Sequence, residues 1–391
     1  MSPPDDSPRF EQVDWDEVDR SRSIATPERV TLLAGLILLA VLYWYDTAVA
    51  HVYLVGEWQV DRLDWALLLA GVVLVSYGLV PALRRIERVR AVLGRLRSRP
   101  GALAGSVYLL GLLVVGVVGP LVYADPGIQF QYAFNPPMGF ATSVEFQECT
   151  GNVTGGVFNQ TCHGSMTYPL GTNHRGFSMD YLVVTGARVA VYVLAITAAF
   201  VVPLAAIVGV VAGLRGGLVD DLLMGYVDLQ LCLPAMVVYL VANTYWNTSL
   251  FVLLVTFGFL SWGGIARLVR SEVLQRREAG YVRVARGYGA SWGRVARRHI
   301  LPNVTNTLVP AVFQLLALLV LVEAGVAFLG FHDVQLYSWG STISESLSAG
   351  VPAFEIWWVS TLPALALVAT VLSLKLVGDG LRDTLDPRGG R

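Results

Sequence analysis

Eight stretches of this chain are apolar over close to the ~20 residues a helix needs to cross a membrane. They lie at 29–47, 64–83, 103–123, 189–213, 228–246, 249–266, 306–330 and 356–377. In hydrocarbon every backbone donor and acceptor must be satisfied within the chain, so stretches of this length read as helices. Composition points the same way: 15% of the 391 residues are charged, against roughly 25% in a soluble domain. The expected fold is an all-α polytopic membrane protein of about eight transmembrane helices.

Short cytoplasmic loops are enriched in Lys and Arg, which orients the spans. Between the second and third spans, LRRIERVRAVLGRLRSR carries Arg84, Arg85, Arg88, Arg90, Arg95, Arg97 and Arg99 against one acid, Glu87. A second basic loop, Arg267 to His299, follows the sixth span. The long 124–188 segment holds only Arg175 and, at its edge, Arg188. Threading eight spans puts both basic loops on one side. Both termini are then expected in the cytoplasm, with 124–188 outside. Residues 1–28 are polar and acidic, unlike a signal peptide, and read as a cytoplasmic tail. Net charge is −1, with no sign of nucleic-acid binding.

The first two spans and the arginine-rich linker, 29–100, read as an extra hairpin ahead of a six-span body at 101–391. Pro203, Pro234, Pro310 and Pro363 fall inside spans of that body. Proline removes a backbone hydrogen bond and kinks a helix, which suits a translocation path, although proline is common in membrane helices in any case. Cys149 and Cys162 share the outer segment and are a possible disulfide. Asn152 and Asn159 fit a glycosylation pattern there. Cys232 reads as a small packing residue within a span.

The segment 267–303 has the pattern of two short helices with a break. Tyr281, Val284, Ala285 and Tyr288 recur at helical spacing, with Arg283 and Arg286 off that face. Gly287 and Gly289 interrupt, and Ser291 is placed to cap the second helix. Trp292, Val295, Ala296 and His299 share the next face. Aromatic residues and arginines anchor protein interfaces. A basic amphipathic helix on anionic lipid is the other reading, and the pattern alone leaves both open.

Residues 281–303 resemble the EAA loop of ABC importer permeases, in the form of the second permease of dipeptide and oligopeptide systems. That loop runs roughly Val-Glu-Ala-Ala-Arg-x-x-Gly-Ala-Ser and closes on Arg-His-Ile-Leu-Pro-Asn. Here Val282, Ala285, Arg286, Gly289, Ala290 and Ser291 match, as do Arg298 to Asn303; Arg283 replaces the glutamate and Val284 an alanine. Glu323, Ala324, Phe328, Leu329 and Gly330 match the family's Glu-Ala-x-x-x-Phe-Leu-Gly, and Ser338, Trp339 and Gly340 its Ser-Trp-Gly. The tail from Gly378 and Asp379 through Leu385, Asp386, Pro387 and Arg388 matches closely. Pro169 to Asn173 resembles Pro-Leu-Gly-Thr-Asp, but Gly176-Phe177-Ser178 stands where the family has Gly-Arg-Asp. The resemblance covers about 103–388 and leaves out the hairpin.

What the resemblance implies is mechanical coupling. The loop would sit in a groove of a separate ATP-binding subunit, with Tyr281, Ala285 and Tyr288 as anchors, Gly289 at the turn, and Arg283 and Arg286 pairing with acids on the partner. It also implies a second homologous permease, two ATP-binding subunits, an extracytoplasmic solute-binding protein, and a prokaryotic cell membrane. Catalytic and metal-binding residues are not expected. The chain has no Gly-x-x-x-x-Gly-Lys-Ser/Thr loop, so ATP and Mg²⁺ would belong to the partner and no cofactor to this chain. Glu323 is a functional candidate or a packing residue, since a carboxylate in lipid costs at least ~2.5 kcal/mol. Asp220, Asp221 and Asp228 are expected in water, and Asp180 and Arg175 in a solvated outer loop. The alternative function is an ion-coupled secondary transporter, expected to show charges deep in several spans.

Overall fold

The computed structural model describes residues 26–50, 60–123, 125–143, 147–156, 160–246, 249–296, 300–331, 333, 336–348 and 350–385. Nearly all of the spans are helical. α1 (Pro27–Tyr45) and α2 (Arg62–Arg84) form the N-terminal hairpin. α3 (Ile86–Arg97) is short and leads into α4 (Pro100–Val122). The body continues with α5 (Met179–Arg215), α6 (Gly217–Cys232), α7 (Ala235–Tyr245), α8 (Leu250–Leu260) and α9 (Gly263–Arg277). Two small helices follow, α10 (Gly280–Gly287) and α11 (Trp292–Val295). α12 (Leu301–Phe328), α13 (Trp339–Ser348) and α14 (Trp357–Leu385) are the last of the described helices.

Among the described residues seven helical stretches are long and apolar enough to cross a membrane, α8 and α9 together (Leu250–Arg277) counting as one, and α6 with α7 makes an eighth if the bent pair is one span. The stretch expected as one span at 228–246 is therefore two helices meeting at 77°. Pro234 explains the break. It has no N–H to continue α6, and it forces Leu233 before it into extended geometry (φ −85°, ψ 121°). Two other prolines act more gently. Pro203 and Pro81 each lie just after a wide turn, at Thr197–Val201 and Val75–Leu79, where Val202 N donates to the Thr197 carbonyl and Val80 N to the Val75 carbonyl, five residues back. Pro310 and Pro363 lie inside α12 and α14.

Two boundaries differ from expectation. α5 starts at Met179, so residues 179–188, assigned to the outer segment, are helical. Ser178 occupies the N-cap position and Asp180 the first turn, where a carboxylate favours the helix dipole. α9 runs to Arg277, so the first third of the basic loop continues a span. Of the polar tail, residues 1–25 lie outside the described residues.

The core is built on α5, α9, α12 and α14. The second half of α5 lies along α9, α12 along α14, and α4 bridges α14 and the first half of α5. Gly209 and Gly213, one turn apart on α5, let it approach α9 closely. A Cβ on Gly209 would meet the Ala266 carbonyl oxygen at 2.5 Å, and one on Gly213 would meet Val273 Cγ1 at 2.7 Å. Small residues four apart are how membrane helices bring their backbones together. The hairpin packs on this body through α2, whereas α1 has no buried residue.

The segment between α4 and α5 carries a small sheet in the order β1-β3-β2, from Ala141–Ser143, Val153–Thr154 and Thr161–His163. Cys149 and Cys162 are joined as a disulfide, with Cα atoms 5.6 Å apart. Buried Asn135 holds the segment together: its Nδ2 donates to the Tyr132 and Glu148 carbonyls at 3.0 Å, and its Oδ1 accepts from Thr150 N at 2.9 Å. Asn152 is exposed there, and Asn159 lies outside the described residues.

Candidate functional site

The segment between α9 and α12 has two sides. Val282 of α10 and Val295, Ala296 and Ile300 beyond it are buried in the same core cluster as Val269 and Val273 of α9. Along α10 the opposite side is open: Tyr281 is 46% exposed, Val284 58% and Tyr288 89%. Ala285 is half-buried, and Arg283 and Arg286 are exposed. The apolar stripe at 281, 284 and 288 thus points away from the protein. The inner side packs on the transmembrane core through Val282.

Gly289 makes the turn. Its φ is +82°, in the left-handed region that costs other residues energy. Gly289 N donates to the Arg286 carbonyl at 2.9 Å and Ala290 N to the Ala285 carbonyl at 3.1 Å, the paired closing bonds of a Schellman helix end. Arg286 works inside the segment. Its Nη1 donates to the Ala290 carbonyl at 3.1 Å and its guanidinium lies 4.1 Å from the centre of the Trp292 ring, a cation–π contact. Arg286 therefore ties α10 to α11, a use the sequence pattern does not signal. Ser291 stands at the N-cap position of α11, but its side chain makes no capping bond. Arg283 forms no hydrogen bond or ion pair among the described residues. Arg297, Arg298 and His299 lie outside them.

Behind this surface, α9 is bolted to its neighbours by charge. Arg270 donates through Nε and Nη2 to the two carboxylate oxygens of Asp220, each at 2.5 Å. Asp220, expected in water, is instead buried; a two-pronged arginine contact compensates its lost hydration. Exposed Asp228 pairs with Arg267. Arg277 Nη1 donates to the Gly213 carbonyl at 3.2 Å, at the end of α5. Thr307 of α12 donates to Glu272 at 3.0 Å. α9, whose Val269 and Val273 share a core cluster with Val282 of α10, is thus joined to α5, α6 and α12 through named polar contacts.

The remaining motif residues lie toward the other end. Glu323 is buried on α12, with its carboxyl group against Ser338. Phe328 is partly exposed, and Gly330 (φ +88°) ends the helix. Trp339 is buried against α5, its Nε1 donating to the Val183 carbonyl at 3.1 Å. Asp379 is exposed on α14, and Asp386 lies outside the described residues. Cys232, expected to be packed, is exposed at the α6–α7 bend. Arg175 is not in a solvated loop. It pairs with Glu345 of α13 at 3.1 Å and donates to the Tyr337 hydroxyl at 3.0 Å. Burial raises the Glu345 carboxyl above its ordinary range, while Arg175 and Asn173 pull it back. Burial, then Arg175, holds His174 below its ordinary value.

Two arrangements lie beyond the sequence reading. The Gly209-x-x-x-Gly213 spacing was a readable signal for close helix packing. The other is buried Asp64 of α2 against half-buried Arg188 and buried Tyr192 of α5. Arg188 Nη2 donates to Asp64 at 3.2 Å, and the Tyr192 hydroxyl donates to the same carboxylate. An acid at the edge of an apolar stretch was the available clue.

Residues 205–390 match the family of binding-protein-dependent transport system inner membrane components. A Brucella suis (biovar 1, strain 1330) protein named as a peptide permease is 32% identical over 219 residues, covering 56% of this chain and 72% of the relative. The chain belongs to this family. The dipeptide transport system permease protein DppC of Bacillus subtilis (strain 168) is 27% identical over 295 residues, 75% of this chain and 84% of the relative. The oligopeptide transport system permease protein OppC of the same organism is 28% identical over 220 residues, 56% and 71% of the two chains. The matched span of this permease runs from the middle of α5 to the C-terminus. It contains the α10–α11 surface, Glu323 and Trp339, and leaves the hairpin outside. The protein is therefore a multi-pass membrane transport component and not itself an enzyme family member.

Proposed function

We propose that this permease is the membrane-spanning subunit of an ATP-driven importer of di- or oligopeptides. It would be moved by separate ATP-binding subunits that hold α10 and α11. The observation that carries this reading is the outward apolar stripe of Tyr281, Val284 and Tyr288 on a helix whose other side is locked into the transmembrane core. Exposed tyrosines on a rigid mount form a docking surface of the kind that anchors interfaces. The peptide cargo is read from the names of the relatives.

In this reading a second homologous permease completes the pathway, and two ATP-binding subunits carry ATP and Mg²⁺. An extracytoplasmic binding protein delivers cargo at the face formed by residues 125–178. Both termini are cytoplasmic, in the cell membrane of a prokaryote. When the ATP-binding subunits close, α10 moves as a body. Arg270–Asp220, Arg277–Gly213 and Thr307–Glu272 pass that movement to α6, α5 and α12.

Uptake and ATP hydrolysis by the reconstituted complex test this in two variants. Gly289→Asp strains the turn, and Tyr288→Ala removes an exposed ring while leaving the fold alone. Both should lower uptake per ATP hydrolysed at least tenfold, since interface anchors contribute about 2 kcal/mol or more. Unchanged uptake in Tyr288→Ala would remove the docking role.

A further inference from the structure

α3 is 12 residues long and joins the end of α2, at Arg84, to the start of α4, at Pro100. Both neighbours cross the membrane, so both ends of α3 are held at one membrane surface. One side of the helix faces protein. Leu96 is buried, Arg95 Nη1 donates to the Thr384 carbonyl of α14 at 2.9 Å, and Arg99 just beyond pairs with Asp383.

A second side carries Ile86, Arg90, Leu93 and Arg97. Their spacing of four, three and four residues puts them in a single stripe along the helix. Ile86 is 41% exposed and Leu93 52%, and Arg90 and Arg97 are exposed as well. Neither arginine forms a hydrogen bond or ion pair among the described residues. Other arginines nearby are used: Arg84 lies 3.8 Å from Glu28, and Arg95 and Arg99 hold α14. In water this stripe would leave two branched apolar side chains exposed, alternating with two cations. At the boundary between headgroups and acyl chains the same four residues are all satisfied. The apolar tips enter the hydrocarbon edge, and the arginine stems lie along it with their guanidinium groups in the phosphate layer.

We propose that this stripe of α3 is a binding site for anionic phospholipid headgroups. Arg90 and Arg97 each take a phosphate through a two-pronged guanidinium contact, and Ile86 and Leu93 seat the helix against the acyl chains. Seven residues of helix separate the two arginines, about 10 Å, so each engages its own headgroup. The lipid contact and the Arg95, Leu96 and Arg99 contacts sit on different sides of α3. Bound lipid therefore steadies the junction between the hairpin and the end of α14. Lipid binding here requires only that α2 and α4 span the membrane, and not the import reading above.

The test uses the purified full-length permease in neutral detergent, titrated with phosphatidylglycerol or phosphatidylcholine, with bound lipid counted by native mass spectrometry. Arg90→Gln/Arg97→Gln is compared with wild type after thermal melting has verified its fold. Wild type should bind phosphatidylglycerol preferentially. The double variant should bind it roughly 25-fold more weakly, at about fivefold per arginine near an anionic surface, with phosphatidylcholine binding unchanged. Leu93→Asn should weaken phosphatidylglycerol binding in the same titration and leave the melting midpoint in place. Equal binding of the two lipids by wild type overturns the proposal. So does a double variant that keeps its phosphatidylglycerol and instead loses a co-purifying protein, because the stripe then faces a protein partner.

Discussion

Asp64 and Arg188 are 124 residues apart in the chain and meet at 3.2 Å across the interface of α2 and α5. Arg188 Nε also donates to the Tyr192 hydroxyl at 3.0 Å, and Tyr192 donates to Asp64. The closed triangle pins the N-terminal hairpin to a helix of the transport body. Removing one member of a buried pair leaves the other without compensation, at a cost on the order of 3 kcal/mol. Asp64→Ala should therefore lower the melting midpoint of the full-length protein clearly. Asp64→Asn should lower it less, because the amide oxygen still accepts both bonds. Equal midpoints for all three proteins would mean that packing alone holds the hairpin.

Gly209 and Gly213 make a second prediction. Gly209→Ala puts a methyl group 2.5 Å from the Ala266 carbonyl oxygen, so α5 and α9 must move apart. Overpacking of this kind costs about 1–3 kcal/mol. A methyl group on Gly225 of α6 would meet nothing within 4 Å, so Gly225→Ala should be neutral or slightly stabilising. Melting midpoints of the two variants check the contrast, and equal effects would contradict the close approach.

His174 should make the segment between α4 and α5 sensitive to acid. Burial beside Arg175 lowers its pKa from the ordinary value of 6.5. Below that value the unfolded chain therefore binds more protons than the folded one. Stability contributed by neutral His174 is complete above about pH 6.5 and is lost as pH falls through the lower folded value. The melting midpoint of wild type relative to His174→Gln should be constant above neutrality and decline toward acid. Glu345, 3.7 Å from the ring, is present in both proteins. A flat difference across pH 5–8 would contradict the assignment.

The disulfide between Cys149 and Cys162 closes a short loop of sequence separation 13, and a cross-link of that size stabilises by about 3 kcal/mol. Cys149→Ser/Cys162→Ser should speed proteolysis within 125–178 and leave the transmembrane helices intact. Reductant should reproduce the effect in wild type and add nothing to the variant.

Much of this architecture was legible because hydrocarbon leaves the backbone few options. Apolar length located the spans of the hairpin and the segments between spans, 124–188 and 267–303 among them. It could not place the break at Leu233–Pro234, because hydropathy does not register a missing N–H. Charge counting assigned Arg267, Arg270, Arg276 and Arg277 to a loop. Their carboxylate and carbonyl partners on α5, α6 and α9 hold them on a helix instead. Pairings such as Asp64 with Arg188, or Arg175 with Glu345, join residues distant in sequence, and one sequence carries no signal that matches them. The φ of Gly289, by contrast, could be read directly, since a glycine ending a helical run marks this turn.

Affinity purification of the tagged permease from its native membrane, with identification of what accompanies it, tests the coupling role of α10 most directly. An ATP-binding subunit and a second permease should appear in the eluate, both retained by wild type. The ATP-binding subunit should be lost from Tyr288→Ala while the second permease remains. A permease that purifies alone, takes up solute without ATP, or keeps its ATP-binding subunit when Tyr288 is removed would contradict that role.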